Sequence, residues 1–355
     1  MRTTLPALSL LLCPLASSHA AVVEIRSPDA LRAAIAKPQS GDIWKVHPGE
    51  YPGGHYLSGL EKLSIEAADP QQPPVFVGGA NAWHFSRCPG ITLRHLSCRS
   101  QTTNGFNLDD GGPANGDVAG ITLENLTIQD IGPDGNFDGI KASGLSDLTI
   151  RGCTIQGWGG QAIDLVGCHR VLITGCRILG KPGFSQHTGM QFKGGSEDVV
   201  LEKCTFIDAG GRPIQAGGST GMAWFRPVGA KYEARRIIIR DNRIEGGDCA
   251  CTFTGVDGAE FNNNTIIRPR KWFFRILTET KEAGFPPARH VTLTGNSFTY
   301  RRSEVQIPIN IGPGTAPETF KFINNTWYAE DRPDASNPRL PIPETGAVYG
   351  KPPQP

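Results

Sequence analysis

Between residues 138 and 217 the chain places two lysines, an aspartate and two glutamines at matched points of successive segments: Lys141, Asp164, Gln191 with Lys193, and Gln215. Most stand between apolar neighbours, as in Ile140-Lys141-Ala142 and Ile163-Asp164-Leu165. Strand side chains alternate faces, so the polar member points away from the side that takes the apolar pair. The same alternation extends an exposed outward column to His84, Asn107, Arg275 and Asn310, and puts Ser143, Lys193 and Gly217 in a second column beside it. Taken singly, each residue fits a solvated sheet face. Together they set cations, a carboxylate and amides along one line. Flanking loops add Trp224 and Arg226, and the run from Arg268 to Arg275 carries four cations and three aromatics. Aromatic faces stack on sugar rings and cations bind carboxylate or sulfate, so the expected ligand is an acidic polysaccharide.

A repeat must position these residues. Nine segments align on a strand that ends in a corner, and their fourth position reads Leu96, Leu126, Cys153, Cys176, Cys204, Asn242, Asn264, Asn296 and Asn325. Self-similarity at a period of roughly 20–50 residues marks a solenoid, and strand-type alternation with no helical spacing between makes it a β-solenoid. The asparagines predict an interior corner ladder in which stacked amides satisfy one another and the turn backbone. Inward pairs are expected at Trp83/Phe85, Phe106/Leu108, Ile140/Ala142, Ile163/Leu165, Met190/Phe192, Ile214/Ala216, Phe274/Ile276 and Ile307/Ile309. The fold class is therefore all-β, a parallel β-helix of about nine to ten coils over residues 21–329.

The ends read differently. Residues 1–20 have the pattern of a secretory signal, with Arg2, an apolar run from Leu5 to Ala16, and a small-x-small site at Ser18-His19-Ala20. That run is short of the about 20 apolar residues of a membrane span, and lipidation at Cys13 ranks second because a leucine precedes it. The mature chain is expected to be exported to the periplasm or the medium as a monomer with no membrane partner. Without Arg2 it balances 34 basic against 34 acidic residues, which argues against nucleic-acid binding. Eight cysteines remain in an oxidising compartment, where disulfides are the usual inference. Five of them fall in ladder columns instead, Cys153, Cys176 and Cys204 in one and Cys88 and Cys168 in another, and are expected as free, buried thiols. Residues 27–36 predict a helix with Ser27 as N-cap and Pro28 in its first turn, placed to lid the first coil. Residues 330–355 form a Pro-rich tail with no assigned role in chemistry.

That opening, a helix followed by Gly41-Asp42-Ile43 and Pro48-Gly49-Glu50-Tyr51, resembles the entry of pectate-lyase-like right-handed β-helices. The stretch from Gln191 through Lys193-Gly194-Gly195 to Cys204-Thr205-Phe206 resembles polysaccharide lyase family 6, the chondroitinase B and alginate lyase group. The resemblance implies β-elimination on a uronate polymer with Lys193 as Brønsted base. Proton abstraction beside a carboxylate also needs a cation to offset that carboxylate's charge, and Arg212 or a calcium ion is expected there. The family's Arg-His-Gly is absent, with Gln215 at that place, and His187 stands where its acidic calcium ligands would be. Lys141, one coil beside Asp164, suits substrate binding. For calcium, Asp134, Asn136 and Asp138 have the spacing of the first half of a calcium loop, without its closing glutamate. A rival resemblance is to polygalacturonase-type hydrolases of glycoside hydrolase family 28, through Asn136-Phe137-Asp138-Gly139 and His187-Thr188-Gly189. Their Asp-Asp pair is replaced here by Gly159-Gly160-Gln161. A non-catalytic carbohydrate-binding β-helix is the third reading.

Overall fold

In the computed structural model, residues 20–112, 115–116 and 118–353 are described; the expected export signal lies outside them apart from Ala20. The chain winds into parallel sheets of 13, 10 and 12 strands, each strand paired with the equivalent strand one turn away. Short β-branched and aliphatic segments alternate inward and outward, as in Leu145–Arg151, where Leu148 and Ile150 are buried and Thr149 lies between them. A corner follows, and its residue takes a positive φ in coil after coil: His95, Asn125, Gly152, Gly175, Lys203, Asp241, Asn263, Gly295 and Asn324. Left-handed backbone at one fixed place turns every coil by the same angle, which keeps the sheets in register.

Next to that corner stands the predicted ladder. Asn264 Nδ2 donates to Ile239 O and to Asn296 Oδ1, while its own Oδ1 accepts from the Asn242 backbone N–H and Nδ2. Asn296 repeats the pattern with Asn325. Below Asn242 the column changes to sulfur, and all eight cysteines of the described residues are free and buried. Burial pushes the Cys168 thiol up to about 12, so it stays a neutral, small apolar filler.

Both ends are covered. The helix Pro28–Ala36 is capped by Ser27 Oγ, which accepts from Ala30 N, and it buries Leu31 against the first coil. At the other end Glu344 takes the next place of the ladder, accepting from Asn325 N and Nδ2 and from Trp327 Nε1. Val348–Tyr349 adds a last strand to Thr326–Ala329. Among the described residues no helix is long and apolar enough to cross a membrane.

Candidate functional site

The 10-stranded sheet carries the predicted outward column in register. His84 pairs with Asn107, then follow Lys141, Asp164, Gln191 and Gln215, and beyond them Thr252, Arg275 and Asn310. Beside it runs a second column of Ser86, Asp109, Ser143, Val166, Lys193 and Gly217. Parallel strands lie about 4.8 Å apart, so side chains of neighbouring coils are in reach of one another.

At the centre two ammonium groups share one carboxylate. Asp164 is fully buried, and its Oδ2 contacts Lys141 Nζ and lies 3.3 Å from Lys193 Nζ. Lys141 Nζ also lies 3.3 Å from Asp138 Oδ2, and Lys193 Nζ donates to Gln191 Oε1 at 3.3 Å. Burial opposes the charge on Lys141, but Asp164 and Asp138 outweigh it and hold the ammonium above the ordinary lysine range. Burial, then the Asp164 charge, pushes Asp138 up to about 6. An ammonium has three donors; each lysine makes one hydrogen bond and one further ion pair, which leaves at least one donor on each to offer.

The first coils hold a second cluster that the sequence reading did not assemble. His84 Nε2 meets Asp109 Oδ2 at 2.6 Å. Asp109 is pinned further by Ser86 Oγ at 2.7 Å, Gly111 N at 2.9 Å and Asn107 Nδ2 at 3.0 Å. Burial disfavours its charge, but the bonds from His84, Ser86 and Gly111 win and hold it down to about 2. The exposed ring of Tyr56 sits edge-on to His84 with centroids 4.9 Å apart. The signal in the sequence was the repeated i, i+2 pattern, His84 with Ser86 and Asn107 with Asp109, on adjacent outward faces.

Two loops wall the site. Arg226 donates from Nε and Nη2 to the two oxygens of buried Asp110, both at 2.8 Å, tying positions 116 residues apart. Buried Glu233 accepts from Gly194 N, Thr220 N and both the Thr220 and Thr280 hydroxyls, which fastens the 218–233 loop to the turn after Lys193. Gly217 and Gly218 let that loop begin close to the floor: a Cβ on Gly217 (φ +93°) would meet Thr254 O at 1.8 Å. The result is a cleft of about 590 Å³ lined by His84, Asp109, Asn136, Lys141, Lys193, Thr220 and Trp224, among others. Trp224 is 58% exposed on its wall.

Several expectations need correcting. The column is not an exposed one at its middle: Asp164, Gln191 and Gln215 are buried, because the lysines and the loops lie over them. Arg226 lines the cleft with Lys193, but it is buried and its guanidinium is paired with Asp110. Arg212 sits opposite Thr188, five residues before the level of Lys193, donates to Gln215 Oε1 at 2.8 Å, and does not line the cleft. Nor do His187, exposed ahead of the strand Thr188–Lys193, or Arg275, which donates to Asn310 and lies over the Trp272 ring. In the run 268–275, Phe273 and Phe274 are core, while Arg268, Arg270 and Lys271 pair with Glu330, Asp208 and Asp248. Ile307 and Ile311 are both exposed, so Ile309 is the buried residue of the strand Ile309–Ile311, and Cys251 and Phe253 supply the coil before Phe274. Of the three calcium-loop residues, Asp134 Oδ1 accepts from Gly135 N, Asn136 lies at the cleft, and Asp138 Oδ1 accepts from Gln161 N while its buried Oδ2 has no hydrogen-bond partner and lies 3.3 Å from the Lys141 ammonium. Among the described residues no three His, Cys, Asp or Glu side chains converge as metal ligands would.

The family model for the right handed β-helix region matches residues 92–298. Among solved structures, an alginate lyase from Paenibacillus sp. is similar at a TM-score of 0.50 and 16% identity, over 83% of this chain and 96% of that one. The A-module of a mannuronan C-5 epimerase from Azotobacter vinelandii matches at 0.60 and 13%, over 92% and 94%. A lacto-N-biosidase from Eubacterium ramulus matches at 0.60 and 11%, over 93% and 68%. At such identities the likeness speaks to fold alone. No curated protein matches the chain.

Proposed function

Because this chain belongs to the right-handed β-helix family, we propose that its cleft binds an acidic, uronate-containing polysaccharide and cleaves it by β-elimination. One observation carries the reading: Lys141 and Lys193 converge on buried Asp164 at the cleft floor, each with a donor to spare. An uncommitted ammonium N–H is suited to a carboxylate oxygen. Charge on that carboxylate rises as the neighbouring C5–H is lost, and a fixed cation stabilises it most in the transition state. Lys193, ion-paired with Asp164, serves better as this fixed cation than as the base that the lyase resemblance implied. Exposed Trp224 supplies a stacking face for a sugar ring. The buried Asp138 and Asp164 are engaged by lysines, which leaves the hydrolase reading without two carboxylates facing one glycosidic bond.

The test is to incubate the purified protein with a panel of polyuronates and follow the ultraviolet absorbance of unsaturated uronates. The expected result is absorbance on at least one polymer, with Lys193→Met lowering kcat/KM by about 10- to 100-fold, the worth of a hydrogen bond to a charged group. New reducing ends without absorbance would mean hydrolysis, and binding with neither product would mean a carbohydrate-binding protein.

A further inference from the structure

With both lysines engaged by Asp164, the cleft still needs a group that moves a proton. His84 and Asp109 have the required arrangement. We propose that His84 is the proton-transferring residue of this cleft, that Asp109 is its positioning residue, and that one imidazole both takes the C5 proton and returns it to the departing oxygen. The inference rests on the β-elimination reading.

A carboxylate can only accept, so its 2.6 Å contact places a proton on His84 Nε2, and in the neutral imidazole the lone pair is then on Nδ1. Nδ1 has no partner among the described residues, and the His84 side chain, 28% exposed, lines the cleft. Asp109 cannot swing away, because Ser86, Asn107 and Gly111 hold it from three further directions. Of the titratable groups, Asp109 and Tyr56 contact the ring, and Asn107 is its register partner on the next strand. Lys141 stands two strands on, about 10 Å away between backbones at the usual strand spacing. At that distance the two side chains can meet one sugar ring, with Lys141 on its carboxylate and His84 on its C5 hydrogen.

The step balances without a co-reactant. His84 Nδ1 takes the C5 hydrogen as a proton, and the pair of that bond forms C4=C5. The C4–O4 bond breaks with its electrons on O4, and the imidazolium hands the same proton to O4. The products are an unsaturated uronate end and a free hydroxyl, and the enzyme returns to its starting state. Asp109 stabilises the transient imidazolium and keeps Nδ1 toward the cleft.

The experiment uses the full chain and the polyuronate on which the wild type is fastest. His84→Ala is expected to lower kcat by about 10²- to 10⁴-fold, the span for one general acid–base group, with little change in KM. Free imidazole should restore part of that rate, which it would not do if His84 only held the fold. Asp109→Asn should lower kcat by at least about tenfold and shift the pH–rate profile, since its amide no longer fixes the tautomer. If His84→Ala melts early, His84→Gln, which keeps a donor toward Asp109, replaces it, and the same loss of kcat is expected. Either folded variant retaining more than about a third of wild-type kcat overturns the assignment. If the wild type makes no unsaturated product on any polymer, the elimination reading itself fails, a result distinct from an active wild type with an unaffected His84 variant.

Discussion

Asp109 is half-buried and carries its charge only because four donors surround it, which gives it a measurable signature in stability. Its carboxyl lies near 2 in the folded protein against an ordinary 3.8. A depressed folded value means that Asp109 contributes stability above about pH 4, and that this contribution is lost as pH falls toward 2. The fall from 3.8 to about 2 corresponds to about 2.5 kcal/mol, at about 1.4 kcal/mol for each tenfold change in proton affinity. Asp109→Asn should therefore melt below the wild type at pH 6, and the gap should close as pH drops from 4 to 2. Melting curves at several pH values check this, and a gap that stays constant with pH would refute it. At the same scale, the pairing of Asp110 with Arg226 explains why an arginine with the composition of a substrate ligand is a strut instead.

At the scale of the element, the corner ladder turns one residue type into a continuous bond path. Asn242, Asn264, Asn296 and Asn325 are all buried, and each donates to a backbone carbonyl of the preceding coil. Asn264→Ala would orphan Ile239 O and the Asn242 N–H and leave a void between coils. Each unsatisfied buried group costs about 1–3 kcal/mol, so a loss of about 3 kcal/mol is expected, read as a lower urea midpoint. A midpoint within error of wild type would show that water replaces the amide. The ladder was legible in the sequence because one position per coil repeats. The coil at 251–254 was not, because Cys251-Thr252-Phe253-Thr254 lacks aliphatic residues and follows a glycine-rich turn.

The whole molecule is a stack whose stability depends on closed ends, since each coil contacts only its neighbours. Glu344 and the strand Val348–Tyr349 close the last coil. Ending the chain at Ser336 would expose the strand Thr326–Ala329 as a free edge and leave the Asn325 donors and Trp327 Nε1 without Glu344. The truncated protein should melt several degrees lower, at about 2–4 °C per kcal/mol for chains of this size class, and should self-associate. Size-exclusion chromatography across a concentration series reads the second effect, and a monomer with an unchanged melting point would contradict both.

From the sequence alone came the coiled β-architecture, the asparagine ladder, the free cysteines and the alignment of Lys141, Asp164, Gln191 and Gln215, because side-chain alternation and a repeated corner are local properties of the chain. Only the tertiary structure decided which of those aligned groups stay open to the cleft and which are sealed. It also decided that Asp164 serves two lysines, that Arg212 stands at a different level from Lys193, and that His84 finds Asp109. Those outcomes depend on how loops far apart in sequence, such as those holding Asp110 and Arg226, close over the sheet, and no local pattern encodes that distance.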